Sequence, residues 1–116
     1  MKYLSLLLIP LLITISPVSI GAGDNSSDNG LTEKRKAEIA HMVKQDCGSC
    51  HGLTLKGGLG PSLDPVRLNL YPENFLEITI SHGRPGTPMP PWAPILTGNE
   101  IHYIATHLLQ GTWYEK

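Results

Sequence analysis

A strong excess of either charge is missing from these 116 residues: nine lysines and arginines stand against ten aspartates and glutamates, a formal net charge of −1. With no basic stripe to displace counterions from a phosphate backbone, nucleic acid is excluded as a partner. Cysteine is scarce as well, at two residues, Cys47 and Cys50. If one motif consumes both, no disulfide can form even in an oxidising compartment. No apolar run reaches the roughly 20 residues that span a bilayer. The longest, Tyr3 to Ile15, falls short of that and contains Pro10.

What is present centres on Cys47-Gly48-Ser49-Cys50-His51. The spacing C-x-x-C-H is the attachment signal of a c-type haem, in which two thiols add to the porphyrin vinyl groups and the adjacent imidazole becomes the proximal iron ligand. Two neighbouring vinyls on a rigid macrocycle need sulfurs about one helical turn apart, with the next side chain aimed at the metal. One motif implies one haem. The same spacing is compatible with a thioredoxin-like redox pair, and two cysteines with a histidine with part of a zinc site. The first would need a βαβ scaffold that the surrounding pattern lacks, and the second a further ligand that no second Cys/His cluster supplies.

The chain divides into three stretches. Lys2, the apolar run and the small residues Ser19, Gly21, Ala22 and Gly23 read as a secretory signal peptide over 1–22, with cleavage within 21–23. An uncleaved anchor is the competing reading. Residues 23–30 are a polar, flexible linker, and 31–116 form one small domain. Without Lys2, eight basic side chains remain against ten acidic, a formal charge of −2. Export implies the periplasm, with no membrane association after cleavage. A domain this small buries little surface, so a covalently held macrocycle would supply missing core.

From Thr32, a suitable N-cap, the spacing of Ile39, Ala40, Val43 and Cys47 predicts a helix that Gly48 ends. Lys34, Arg35, Lys36, Glu38 and Lys44 form its charged face. A glycine-rich loop follows, Gly52 to Leu63, whose glycines would let backbone pass close beneath a flat ring. A carbonyl in it can accept the Nδ1 proton of His51 and set its tautomer. Pro72 to His82 predicts a helix stopped by Gly83, with Phe75, Leu76, Ile78 and Ile80 as apolar contacts; the β-branched residues keep a strand in competition. Thr97-Gly98-Asn99-Glu100 is a capping box opening a last helix, with Ile101, Ile104, Ala105 and Leu108 as its buried stripe and Gly111 as its end.

Cys47 to His51, followed by Gly60-Pro61-Ser62-Leu63 and a later methionine in a proline-rich loop before a terminal helix, resembles class I cytochrome c. The resemblance implies an all-α fold of three to four short helices wrapped around one covalently bound haem c. It implies that Pro61 presents its carbonyl to His51 and that Leu63 packs on the ring. It also implies a crossing of the first and last helices, where this chain departs from the family: Ile39 and Val43 replace the usual glycine and aromatic, His107 replaces a C-terminal aromatic, and Ala40 is the candidate small residue.

Met89 lies among Pro85, Pro88, Pro90 and Pro91, which stiffen the backbone and so lower the entropy lost in holding a weak thioether ligand. It also stands where the family places its sixth iron ligand. Met42 and His82 compete for that role, while His41, His102 and His107 read as surface or packing residues. Trp92 reads as packing near the ring. With His51 and Met89 both on iron, the centre would exchange single electrons and do little else.

Residues Gln45 to Pro61 and Gly83 to Trp92 resemble more narrowly the cytochrome c55x group, associated with cytochrome cd1 nitrite reductase. The resemblance implies a monomeric electron donor to nitrite reductase in denitrification, itself reduced by an upstream quinol-oxidising cytochrome. Two alternatives are a factor maturing the d1 haem and a small haem sensor or enzyme with a displaceable methionine.

Overall fold

The structure is a computed structural model and describes residues 30–72 and 74–116. The signal peptide, its cleavage zone and the linker up to Asn29 lie outside the described residues. In chain order the elements are α1 (Glu33–Met42), a π-helical turn (Val43–Cys47), α2 (Gly48–His51), α3 (Pro65–Leu68), α4 (Phe75–His82) and α5 (Gly98–Gln110). No strand occurs among the described residues. The expected all-α class is thus observed, and the strand alternative for α4 is not.

Thr32 caps α1 as its chemistry predicts, with extended backbone and its hydroxyl accepting the Arg35 N–H at 3.2 Å. The helix does not end at Gly48. That residue keeps helical backbone (φ −63, ψ −24), and the chain runs through the π turn into α2 until Gly52, at φ 88, breaks it. Gly48 serves close packing instead: a Cβ there would stand 3.3 Å from the Leu53 Cα. The π turn lies directly before the attachment motif, and such turns recur beside functional sites.

α3 is an element the sequence reading did not identify. Its signal is Asp64-Pro65: the Asp64 carboxylate accepts the Val66 N–H at 2.9 Å, and proline occupies the first helical position, where no N–H is needed. Asn69, just past its end, donates to the Leu109 carbonyl at 3.0 Å and so ties α3 to α5.

α4 is helical but begins at Phe75, because the Pro72 carbonyl accepts the Phe75 N–H in a preceding turn. Ile78 is not the predicted core contact; it is 52% exposed. Leu76 and Ile80, one helical turn apart, bury the inner face, and Ile78 between them falls on the other side.

α5 carries the capping box in full. Glu100 N–H donates to Thr97 Oγ1 at 3.3 Å, and Thr97 N–H to Glu100 Oε2 at 2.7 Å. Its predicted stripe is buried, together with Tyr103, and forms one core with the fully buried Ile39 and Val43. Ala40 is only half-buried and lies outside that core. The small buried residue on α5 is Ala105. His107 takes over an aromatic's work, its ring 3.9 Å from that of Tyr103 and 5.4 Å from that of Trp113.

α1 is bound to α5 by Arg35, whose Nε donates to Glu100 Oε1. That bond, followed by the Thr97 backbone donor, holds the Glu100 carboxyl below the usual range. A carboxyl depressed in the folded state contributes stability that is complete above its unfolded pKa, about 4.3 for glutamate, and is lost as pH falls through the lower folded value. Melting temperature is therefore expected to fall on acidification below about pH 4, and Glu100→Gln to flatten that acid limb while lowering stability near neutrality. Calorimetry of the two proteins across pH 2 to 7, on the order of one scan per half unit, checks both.

Candidate haem-binding site

One cavity of about 420 Å³ opens between the attachment motif, the loop around Pro61, α4, the loop around Met89 and α5. All seven residues singled out in the sequence line it: Cys47, Cys50, His51, Pro61, Leu63, Met89 and Trp92. Most of the remaining wall is aliphatic or aromatic, including Leu68, Phe75, Leu76, Ile80 and Leu108. Such a wall suits a flat apolar macrocycle.

Local structure builds the proximal side. His51 ends α2, and its Nδ1 stands 2.7 Å from the Pro61 carbonyl. A carbonyl can only accept, so the neutral ring donates its Nδ1 proton and keeps the Nε2 lone pair for a metal. The loop is held back against the helix end by Gly57 N–H to the His51 carbonyl at 2.7 Å and Gly60 N–H to the Cys50 carbonyl at 2.8 Å. Leu63 N–H donates to the Leu55 carbonyl at 2.9 Å. Leu55 itself has φ 62, a conformation costly for a non-glycine residue, and its side chain is only 1% exposed. Burial of that leucine holds the strained turn in place.

Gly60 approaches the imidazole so closely that a Cβ would stand 2.9 Å from Cε1 and 3.0 Å from Nδ1. The loop thus passes against the face of the ring with no side chain between. The close approach at Gly60 is to the imidazole, whereas Gly52 and Gly58 come equally close to loop and helix-end backbone, where a Cβ would stand 2.7 Å from the Gly57 carbonyl oxygen and 2.8 Å from that of Cys50.

The methionine side is equally constrained. Gly83 ends α4 at φ 64, and a Cβ on it would meet the Met89 carbonyl oxygen at 2.6 Å. Trp92 and Ala93 N–H groups donate to the carbonyls of Ile80 and Ser81 at 3.0 and 3.2 Å. The proline-rich loop is therefore pinned along the last turn of α4, and Met89 is half-buried at the cavity.

The competing ligands separate by position. Met42 also lines the cavity, one helical stretch before Cys47 and so on the attachment side. His82 does not line it; that residue is exposed, its Nδ1 3.1 Å from the Ile78 carbonyl. His102 pairs with Glu77 at 2.6 Å, and His107 Nδ1 stands 2.9 Å from the Tyr103 carbonyl. His41 borders a separate hollow on the far side of α1 with Lys44 and Trp113. Among the described residues no three His, Cys, Asp or Glu side chains converge as a zinc site requires.

Cys47 and Cys50 form no disulfide, and before haem attachment burial, then Asp46, pushes the Cys47 thiol up to about 11. In the haem-free chain it stays protonated and poorly nucleophilic. Two thiols, an imidazole of defined tautomer, a thioether and an apolar enclosure together fit haem c. Among the lining residues that sequence reasoning missed are both arginines, Arg67 and Arg84, because an isolated arginine looks like any solvated charge.

Comparison with known proteins points to the same cofactor. Residues 34–108 match the family model described as cytochrome C oxidase, cbb3-type, subunit III. The cytochrome c55X of Pseudomonas aeruginosa is 47% identical over 78 residues, 67% of this chain and 66% of that one. That of Stutzerimonas stutzeri is 40% identical over 107 residues, 92% of this chain and 82% of its own length. The solved structure of a c-type cytochrome NirC superposes with a TM-score of 0.70 at 44% identity, covering 73% of this chain and all of that one.

Proposed function

Since the chain belongs to the c-type cytochrome family matched above, and its haem c is held covalently through Cys47 and Cys50, we propose that His51 and Met89 are the axial iron ligands of a one-electron carrier. The observation that carries this reading is the shared cavity. It brings an imidazole whose Nδ1 is committed to Pro61 and a methionine on a loop pinned by backbone bonds to walls of the same largely apolar cavity of about 420 Å³. With His51 and Met89 both holding iron, no substrate would reach it, and the thioether would favour the ferrous state. The haem would then supply one-electron exchange with a partner, with no bond made or broken.

Residues 1–22 act as a signal peptide cleaved within 21–23, residues 23–30 as a linker, and the mature domain works in the periplasm as a monomer. Among the described residues no helix is long and apolar enough to cross a membrane. The relatives named cytochrome c55X and NirC support a place in denitrification; in this reading the acceptor is cytochrome cd1 nitrite reductase and the donor an upstream quinol-oxidising cytochrome. Docking is transient, in the class of interfaces below about 1,200 Å².

The test is to mix the reduced protein with purified nitrite reductase and nitrite. Oxidation faster than that of an unrelated cytochrome of similar potential is expected, and an equal rate would remove the acceptor assignment. Deletion of the gene is expected to slow nitrite reduction with d1 haem content intact. Loss of d1 haem itself would assign a maturation role instead.

A further inference from the structure

The cavity is apolar except at a few points. The charged and titratable side chains that border it are Asp46, His51, Arg67, Tyr71 and Arg84, besides the two cysteines. Neighbouring groups on α4 and α5 are engaged elsewhere: Glu77 with His102, and His82 with the Ile78 carbonyl. Asp46 directly precedes Cys47 and belongs to the attachment side, whereas Arg67 lies in α3 and Arg84 in the loop after α4.

Haem carries its vinyl groups and its two propionates on opposite edges of the macrocycle. Tethering the vinyls to Cys47 and Cys50 therefore sends the carboxylates away from the attachment motif and towards other walls. Two carboxylates entering an apolar enclosure are costly unless cations meet them. We propose that Arg84, assisted by Arg67, is the seat of the haem propionates in this protein, an inference that rests on the haem reading above.

Arg84 is suited to the role by its side chain and its backbone alike. Its guanidinium carbon lies 5.7 Å from the centroid of the Phe75 ring, so the aromatic face supports the cation at the cavity edge. A planar guanidinium binds carboxylates in bidentate fashion, as an ammonium cannot. Meanwhile its N–H donates to the Met89 carbonyl at 3.1 Å, and its own carbonyl accepts from Thr87 N–H at 3.0 Å and Thr87 Oγ1 at 2.6 Å. One residue thus joins the loop that carries the thioether to the cation that meets the propionates. A fixed positive charge there favours both the ionised propionate and the reduced iron.

The backbone bonds survive any substitution but proline, so Arg84→Gln in the holoprotein tests the side chain alone. The midpoint potential is expected to fall, and the inflection in its dependence on pH to move up by about one unit, the tenfold loss of acidity that follows from removing one charge-assisted contact. Arg67→Gln should move both in the same direction by less. The methionine-ligated spectrum should persist in each. Potential curves of both variants that coincide with wild type would overturn the proposal. If Arg84→Gln does not load with haem, Arg84→Lys supplies the comparison: a part-way shift supports the bidentate seat, and an unchanged curve overturns it. A wild-type spectrum without methionine ligation would instead sink the carrier reading, leaving these shifts still to be read.

Discussion

Replacing Met89 with alanine is expected to lower the midpoint potential by on the order of 100 mV or more, because axial ligands spread haem potentials over about 0.8 V and a thioether is among those that favour ferrous iron. The same substitution should open a coordination position, so that the ferrous variant binds carbon monoxide rapidly where wild type does not. The fold should survive. The loop is held by Trp92 and Ala93 donating to α4 carbonyls and by Arg84 N–H on the residue-89 carbonyl, none of which needs the thioether. Met89→His should close the iron again, with a lower potential than wild type, because the second ligand is then an imidazole. Wild-type potential and spectrum in the alanine variant would show that Met89 is not a ligand. Met42, on the attachment side of the same cavity, would be the next residue to replace.

Gly60→Ala is expected to have a large effect for one added methyl group, because that group falls directly on the proximal imidazole. The new Cβ would fall 2.9 Å from Cε1 and 3.0 Å from Nδ1 of His51. Two escapes exist: the imidazole turns and gives up its 2.7 Å bond to Pro61, or the loop swings away from the helix end and loses Gly60 N–H to Cys50. Either route strains a packed region, at a cost of about 1–3 kcal/mol by the usual penalty for overfilling. For a domain this small that corresponds to a fall of roughly 4–8 °C in Tm per kcal/mol. Release of Nδ1 from its acceptor also lowers the basicity of the iron ligand, so a potential shifted upward should accompany the lower Tm. Gly98→Ala is the control. Nothing lies within 4 Å of its added methyl, and it stands at the start of α5, where alanine is well accepted. A Gly60→Ala protein as stable as that control, with unchanged potential, would mean the loop yields without cost.

The residues most legible in the sequence were those governed by neighbours within one turn of chain. Thr32 and the Thr97–Glu100 box cap α1 and α5 as their side-chain chemistry requires. Gly83 and Gly111 stop helices where predicted. The errors have a common origin. Intrinsic preference makes Gly48 a terminator, yet close packing against Leu53 keeps it helical and Gly52 does the terminating. Apolarity alone puts Ile78 with the core, yet the rotation of α4 turns Leu76 and Ile80 inward and leaves it out. α3 went unseen because four residues show no periodicity, though Asp64-Pro65 announces it.

By itself the sequence determined the covalent chemistry: two thiols and an imidazole at a spacing that suits one haem, and a methionine stiffened by prolines. Those are short-range facts, carried by residues a few bonds apart. Only the tertiary structure decided what meets them. Pro61 reaching His51, Gly60 lying against the imidazole, the Met89 loop folding onto α4 and Arg67 and Arg84 reaching the cavity each join residues from separate segments or depend on how the chain turns back on itself. Which segments converge is set by the packing of α1, α4 and α5 around one core, and packing is a property of the whole chain.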